Sequence, residues 1–183
     1  KGPVSGGAEI LVCNNYRKRV TAHRIGRDGR ISNRVALSLG LDVPDGIACT
    51  PDGRWLAISD HFTNSALIYD CQGRLTPRTA PVGRLTGMAY PHGLRFSPDG
   101  RYAFVAYAGA PVLHVFRSDT GQWMGDHAPL RSVKVLSDEV FQRGRTNDAE
   151  GGPKGVDIDN SGTILVVTCE EQPLAFFRVA DLI

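Results

Sequence analysis

Pro91-His92-Gly93-Leu94-Arg95-Phe96-Ser97-Pro98-Asp99-Gly100-Arg101-Tyr102 is the stretch that decides the fold, because it occurs three times. It returns upstream as Pro44-Asp45-Gly46-Ile47-Ala48-Cys49-Thr50-Pro51-Asp52-Gly53-Arg54-Trp55 and downstream as Pro153-Lys154-Gly155-Val156-Asp157-Ile158-Asp159-Asn160-Ser161-Gly162-Thr163-Ile164. The copies are offset by 47 and then 62 residues. A repeat of this length is the mark of an array of supersecondary units, each burying its apolar faces against its neighbours. Within a copy, Ile47/Cys49, Leu94/Phe96 and Val156/Ile158 alternate with period two, as in a strand with an apolar face. Thr50-Pro51-Asp52-Gly53 and Ser97-Pro98-Asp99-Gly100 then place proline where a turn needs a fixed φ and glycine where the chain goes left-handed.

A second apolar run follows each turn, at 55–59, 102–106 and 164–168, and a third at 66–69, 112–116 and 174–177. Fourth strands are expected near 79–82 and 132–136. Four antiparallel strands per repeat of about 45 residues is a β-propeller blade. An earlier copy is recognised without its first strand, its turn at Val4-Ser5-Gly6-Gly7 and its strands at 10–14 and 35–39. The expected fold is therefore all-β, a propeller of about four four-stranded antiparallel blades. The blades span approximately residues 1–42, 43–89, 90–151 and 152–183, the first and last incomplete. The two incomplete blades do not complement each other, so the expectation is part of a larger six- to eight-bladed ring. The remaining blades, or another chain, would then cover the open edges.

Composition narrows the partners. A net charge of +2, with Arg17-Lys18-Arg19 as the only compact basic cluster, argues against nucleic acid and acidic membrane surfaces. No apolar run reaches the ~20 residues of a membrane helix, so the chain reads as soluble. Cys13, Cys49, Cys71 and Cys169 lack the paired spacing of a zinc or redox motif. Cys13, Cys49 and Cys169 read as buried free thiols, a lean toward a reducing, cytoplasmic compartment.

On these motifs the chain resembles the lactonase-like, YVTN-type and NHL-type propellers. Phe96 to Ala106 resembles the blade signature of the phosphogluconolactonase-like propellers. Pro44-Asp45-Gly46 with Leu56-Ala57-Ile58-Ser59-Asp60 resembles a gluconolactonase-like blade, and Pro153 to Phe177 an NHL repeat. The resemblance implies a ligand site at the mouth of the central channel, lined by the start of strand one and the loop after strand two. The positions so implicated are Asn14, Asp45, Asp60, His61, His92, Tyr107, Lys154 and Glu170. Asp45 and Asp60 match positions that ligate a divalent metal in the gluconolactonase-like family, with calcium or magnesium as the cofactor expected of hard oxygen donors. His92 and Asp60 are the catalytic candidates, since a channel-facing histidine can exchange protons near neutral pH.

The extra length between the third and fourth copies falls in residues 137–152, a polar stretch expected to overhang the mouth as a recognition loop through Asp138, Glu139, Arg143, Arg145, Asp148 and Glu150. Asp157 to Gly162 resembles a calcium loop only superficially, because its twelfth position is Thr168 where a glutamate is required. Three functions follow. The chain is a scaffold binding a small-molecule ligand or protein at the channel mouth, a lactonase-like hydrolase using a divalent metal, or a purely structural domain.

Overall fold

Each repeated turn closes by side-chain bonds that the sequence supplies. The Thr50 hydroxyl donates to Asp52 at 2.5 Å and accepts from the Trp55 amide at 3.0 Å, while the Asp52 carboxylate accepts from the Arg54 amide at 3.0 Å. Ser97, Asp99, Arg101 and Tyr102 repeat the set at 2.5, 2.9 and 3.0 Å. Gly53 and Gly100 take φ of +73° and +70°, which a side chain would strain. In the third copy Asp159 replaces the hydroxyl residue, accepts the Ile164 amide at 2.8 Å, and is held at a pKa of about 2, first by the Ser161 hydroxyl. Its carboxylate belongs to the turn.

The computed structural model describes residues 8–145, 147 and 149–183. Val4 to Gly7, Asp148 and the segment before Ala8 lie outside the described residues. The first sheet contains β1 (Ala8–Asn14), β2 (Arg19–Ile25) and β3 (Ile31–Leu37). The second contains β4 (Pro44–Cys49), β5 (Trp55–Asp60), β6 (Ser65–Asp70) and β7 (Gly83–Leu85). The third is β8 (Pro91–Phe96), β9 (Tyr102–Tyr107) and β10 (Val112–Arg117), then β12 (Arg131–Lys134), which follows β11 (Gly125–His127) in the chain. The fourth is β13 (Gly155–Ile158), β14 (Ile164–Cys169) and β15 (Gln172–Arg178). A 3-10 turn at Asn15–Arg17 and two short α-helices, α1 (Asp138–Arg143) and α2 (Val179–Leu182), are the helical segments among the described residues.

The chain thus forms a partial β-propeller. One strand departs from the four-stranded antiparallel pattern: β11 leaves its own blade and pairs in parallel with β7 of the preceding one. Trp123 anchors it, fully buried, with its indole N–H donating to the Gly100 carbonyl at 3.0 Å. Gly83 allows the approach, since a Cβ there would stand 2.3 Å from the Trp123 carbonyl oxygen. The fourth strand of that blade also starts later than the 79–82 expected. Pro77 and Pro81 cannot donate to a ladder, Thr79 closes a turn onto Thr76, and regular pairing to β6 resumes only at Gly83.

The period-two alternation sorts side chains into the spaces between sheets. In β5 and β6, Leu56, Ile58, Leu67 and Tyr69 pack toward the first sheet with Val20 and Leu37. Trp55, Ala57, Ala66 and Ile68 pack toward the third with Leu94, Phe96 and Trp123. In β9 and β10, Phe104, Ala106, Leu113 and Val115 meet Leu165 and Val167 of the fourth. A central blade is covered on both faces, hence its nearly unbroken apolar runs. The flanking sheets each leave one face open, with Ile10 and Val12 exposed on β1 and Leu174 and Phe176 on β15.

No cysteine is disulfide-bonded. Cys49, expected to be buried, is exposed at the end of β4, and the other three are partly buried. Along β4 cover falls from buried Pro44 to exposed Cys49, whereas its counterpart Phe96 in the next blade is buried against Trp123. Burial raises the Cys13 and Cys71 thiols to about 12, so these residues behave as apolar side chains. Among the described residues, no helix is long and apolar enough to cross a membrane.

Candidate functional site

The glycine of each Pro-x-Gly lets successive first strands close on one another. A Cβ at Gly46 would lie 2.2 Å from the carbonyl oxygen of His92, and one at Gly93 would lie 2.8 Å from that of Lys154. The contact is bonded as well as close. The Gly46 amide donates to the Ser59 hydroxyl at 2.7 Å, and that hydroxyl donates to the His92 carbonyl at 2.5 Å. The Gly93 amide donates to the Lys154 carbonyl at 2.8 Å. The residue between proline and glycine in one blade is thereby brought to its counterpart in the next.

Asp45 and His92 consequently meet, with 2.7 Å between Asp45 Oδ2 and His92 Nδ1. On its other side His92 Nε2 lies 3.2 Å from Glu150 Oε2. Both contacts are hydrogen bonds together only when both ring nitrogens carry protons, because a carboxylate accepts and does not donate. The His61 ring lies edge-on to the His92 ring at 4.2 Å between centroids. Its Nε2 is 3.6 Å from Asp45 Oδ2 and, though shielded from solvent, has no hydrogen-bond partner among the described residues. Asp45 Oδ1 accepts from the Asn15 amide at 3.1 Å. The imidazoles of His61 and then His92 hold the Asp45 carboxyl well below the usual carboxylate range, against the opposing effect of burial. Lys154 completes the rim, 3.5 Å from Glu150 and 3.7 Å from Glu170.

Of the residues singled out in the sequence, Asp45, His61, His92 and Glu150 therefore converge directly, and Lys154 links Glu150 to Glu170. Asp60 lies outside the group formed by Asp45, His61 and His92. It is fully buried, and its carboxylate accepts the Asp42 amide at 2.7 Å and the Thr63 amide at 3.2 Å, fastening the loop that carries His61. Asn14 turns to Thr21 and the Val12 carbonyl, and its neighbour Asn15 reaches Asp45 instead. Tyr107 is buried against His114, with 4.5 Å between ring centroids.

Two members of the site carried weaker sequence signals. Glu150 belongs to the long segment, which forms α1, capped by the Ser137 hydroxyl on the Val140 amide, and then returns to His92. The Gly151 and Gly152 amides both donate to the Ala108 carbonyl, and a Cβ at Gly152 would lie 2.2 Å from the Ala110 carbonyl oxygen. That paired glycine pins the chain and sets Glu150 over His92. Tyr90, immediately before the repeat, adopts a left-handed φ of +56°, uncommon for so bulky a residue, with its amide bonded to Asn64. It helps line a cavity of about 480 Å³ together with Tyr16, Lys18, Asp42, Phe62, His61 and Glu150. Asp45, His61 and His92 each bring one potential ligand atom to within 4.8 Å of the others, a grouping that a metal ion could use.

No family model and no curated protein matches the sequence. Solved structures do match, and they show the lactonase-like propeller fold. A candidate 6-phosphogluconolactonase from Bacteroides fragilis superposes with a TM-score of 0.68 at 16% identity, over 94% of this chain and 51% of that one. A functionally unknown protein from Desulfotomaculum acetoxidans does so with a TM-score of 0.68 at 19% identity, over 96% and 52%. Hydrazine synthase from Kuenenia stuttgartiensis matches with a TM-score of 0.66 at 20% identity, over 94% and 43%. The chain spans about half the length of these structures.

Proposed function

We propose that the chain is a propeller scaffold that binds a small polyhydroxylated ring compound at the channel mouth, in a site that blades beyond this chain complete. The observation that carries the reading is the bonded convergence of Asp45, His92 and Glu150 from two adjacent blades beside a cavity of ligand size. Aromatic side chains at Tyr16, Phe62 and Tyr90 offer faces for the carbons of a ring. Asn15, Lys18, Asp42 and Glu150 offer acceptors and donors for its hydroxyls. A purely structural role accounts less well for a solvent-shielded imidazole nitrogen left without a hydrogen bond, since such atoms are costly unless something satisfies them.

A hydrolase acting on a lactone is the second reading, favoured by one contact: Asp45 at His92 Nδ1 is the arrangement that orients an imidazole for proton transfer. His92 Nε2 faces Glu150 in the same structure, so a substrate would first have to move Glu150 aside.

Titration of the ¹⁵N-labelled chain with glucono-δ-lactone and with glucose, followed by amide shifts, tests both readings. Shifts confined to the residues around Asn15, His61, Tyr90 and Glu150, and lost in H61A, are expected. Shifts scattered over the surface, or none with either probe, would overturn the mouth as the binding site. Lactone opening above the spontaneous rate would select the hydrolytic reading.

A further inference from the structure

We propose that Asp45, His61 and His92 form a site for a divalent transition metal of the zinc class, a proposal that rests on the mouth being a ligand site. The three donor atoms lie within 4.8 Å of one another and come from two adjacent blades, with nothing else bonded to His61 Nε2 among the described residues. Tetrahedral ligands at zinc distances stand about 3.3 Å apart. Here Asp45 Oδ2 lies 2.7 Å from His92 Nδ1 and 3.6 Å from His61 Nε2, values that bracket that spacing. Small side-chain adjustments, with no backbone movement, would open the space for an ion.

The surrounding contacts match what a metal-binding imidazole needs. A ligating histidine hands its second N–H to a carboxylate, which fixes the ring and raises its basicity. With His92 Nδ1 on the metal, Nε2–H would donate to Glu150 Oε2, already 3.2 Å away and itself held by Lys154. Asn15 would fix Asp45 in the same way through Oδ1, leaving Oδ2 for the ion. Two imidazoles and one carboxylate favour zinc and its neighbours over calcium or magnesium, which take oxygen donors almost alone. Three protein ligands would leave a fourth position for water or a ligand, and His61 also lines the neighbouring cavity.

Zn²⁺ titration of the full chain by calorimetry, with Co²⁺ as the optical probe, tests the site. One equivalent of Zn²⁺ is expected, weakened at least tenfold in H61Q and H92Q and about 10- to 100-fold in E150Q, which keeps all three ligands. Ca²⁺ and Mg²⁺ should not compete. The Co²⁺ spectrum should show tetrahedral bands without a thiolate charge-transfer band, since Cys13 approaches the Gly46 carbonyl nearby. No saturable Zn²⁺ binding, binding unchanged in both histidine variants, or a thiolate band would overturn the metal proposal. In any of those cases, glucose or lactone shifts that still cluster at the mouth would leave the ligand-binding reading standing.

Discussion

Replacing Gly46 by alanine should separate the first strands of two blades, and the structure sets the size of the effect. The new Cβ would stand 2.2 Å from the His92 carbonyl oxygen, 2.8 Å from Ser59 Oγ and 3.1 Å from the His92 carbonyl carbon. An unstrained carbon–oxygen contact is longer by about 1 Å, and two of the three atoms are fixed backbone. Relief requires moving the strand that bears His92, and the Ser59 hydroxyl that ties it to Gly46 must then release one partner. Overpacking of this kind costs about 1–3 kcal/mol, and a buried polar group left unpaired about as much again. The expected total is about 2–6 kcal/mol, or a melting temperature lower by roughly 4–24 °C for a chain of this size. Gly73→Ala is the control, because nothing lies within 4 Å of its Cβ position and its φ is not left-handed. Denaturant unfolding followed by tryptophan fluorescence suits the measurement, since Trp55 and Trp123 are both buried. If Gly46→Ala unfolded at the same midpoint as Gly73→Ala, the close approach of the first strands would be refuted.

Other consequences are open to direct measurement. Asp60→Asn should lower unfolding stability by about 1–2 kcal/mol through its loop amides while leaving Zn²⁺ affinity within about twofold; a loss of metal binding comparable to H92Q would make Asp60 a ligand. Trp123→Ala should cost about 3–5 kcal/mol and free β11, read as loss of amide protection at Gly125 to His127; full protection in the variant would contradict the clasp. Burial holds the His114 imidazole below its ordinary value of 6.5. The unfolded chain then binds a proton that the folded chain refuses, so the stabilisation is complete above about pH 6.5 and shrinks below it, by up to about 1.4 kcal/mol per pH unit. His114→Gln should flatten that limb of a stability–pH curve, and an unchanged slope would place the proton elsewhere.

The fold was legible because three successive properties of the repeat coincide. Proline, hydroxyl, aspartate and glycine in the turns, period-two alternation in the strands, and a spacing near 45 residues all demand the same blade. The site was legible to the extent that it inherits this repeat. Asp45, His92 and Lys154 share one slot, and the glycine after each shows why the slots approach. What the repeat does not encode was harder to read. The parallel pairing of β11 depends on where Trp123 finds a cavity, a tertiary fact with no local signature. Glu150 is placed by a paired glycine bonding to Ala108, more than forty residues earlier in the chain, so its position depends on tertiary contacts already being made. An acidic side chain beside a strand end, as at Asp60, suits a metal and a loop amide equally well in the sequence, and the structure shows the two loop amides its carboxylate accepts.

The central claim is that side chains 47 and 58 residues apart in sequence clamp one imidazole between two blades. Long-range ¹H–¹⁵N correlation spectra of the histidine rings, recorded for the wild type, D45N and E150Q, test it most directly. The His92 ring nitrogens should shift in both variants, Nδ1 chiefly in the first and Nε2 chiefly in the second, while those of His114 stay in place. His92 signals indifferent to both substitutions would contradict the convergence on which the site is built.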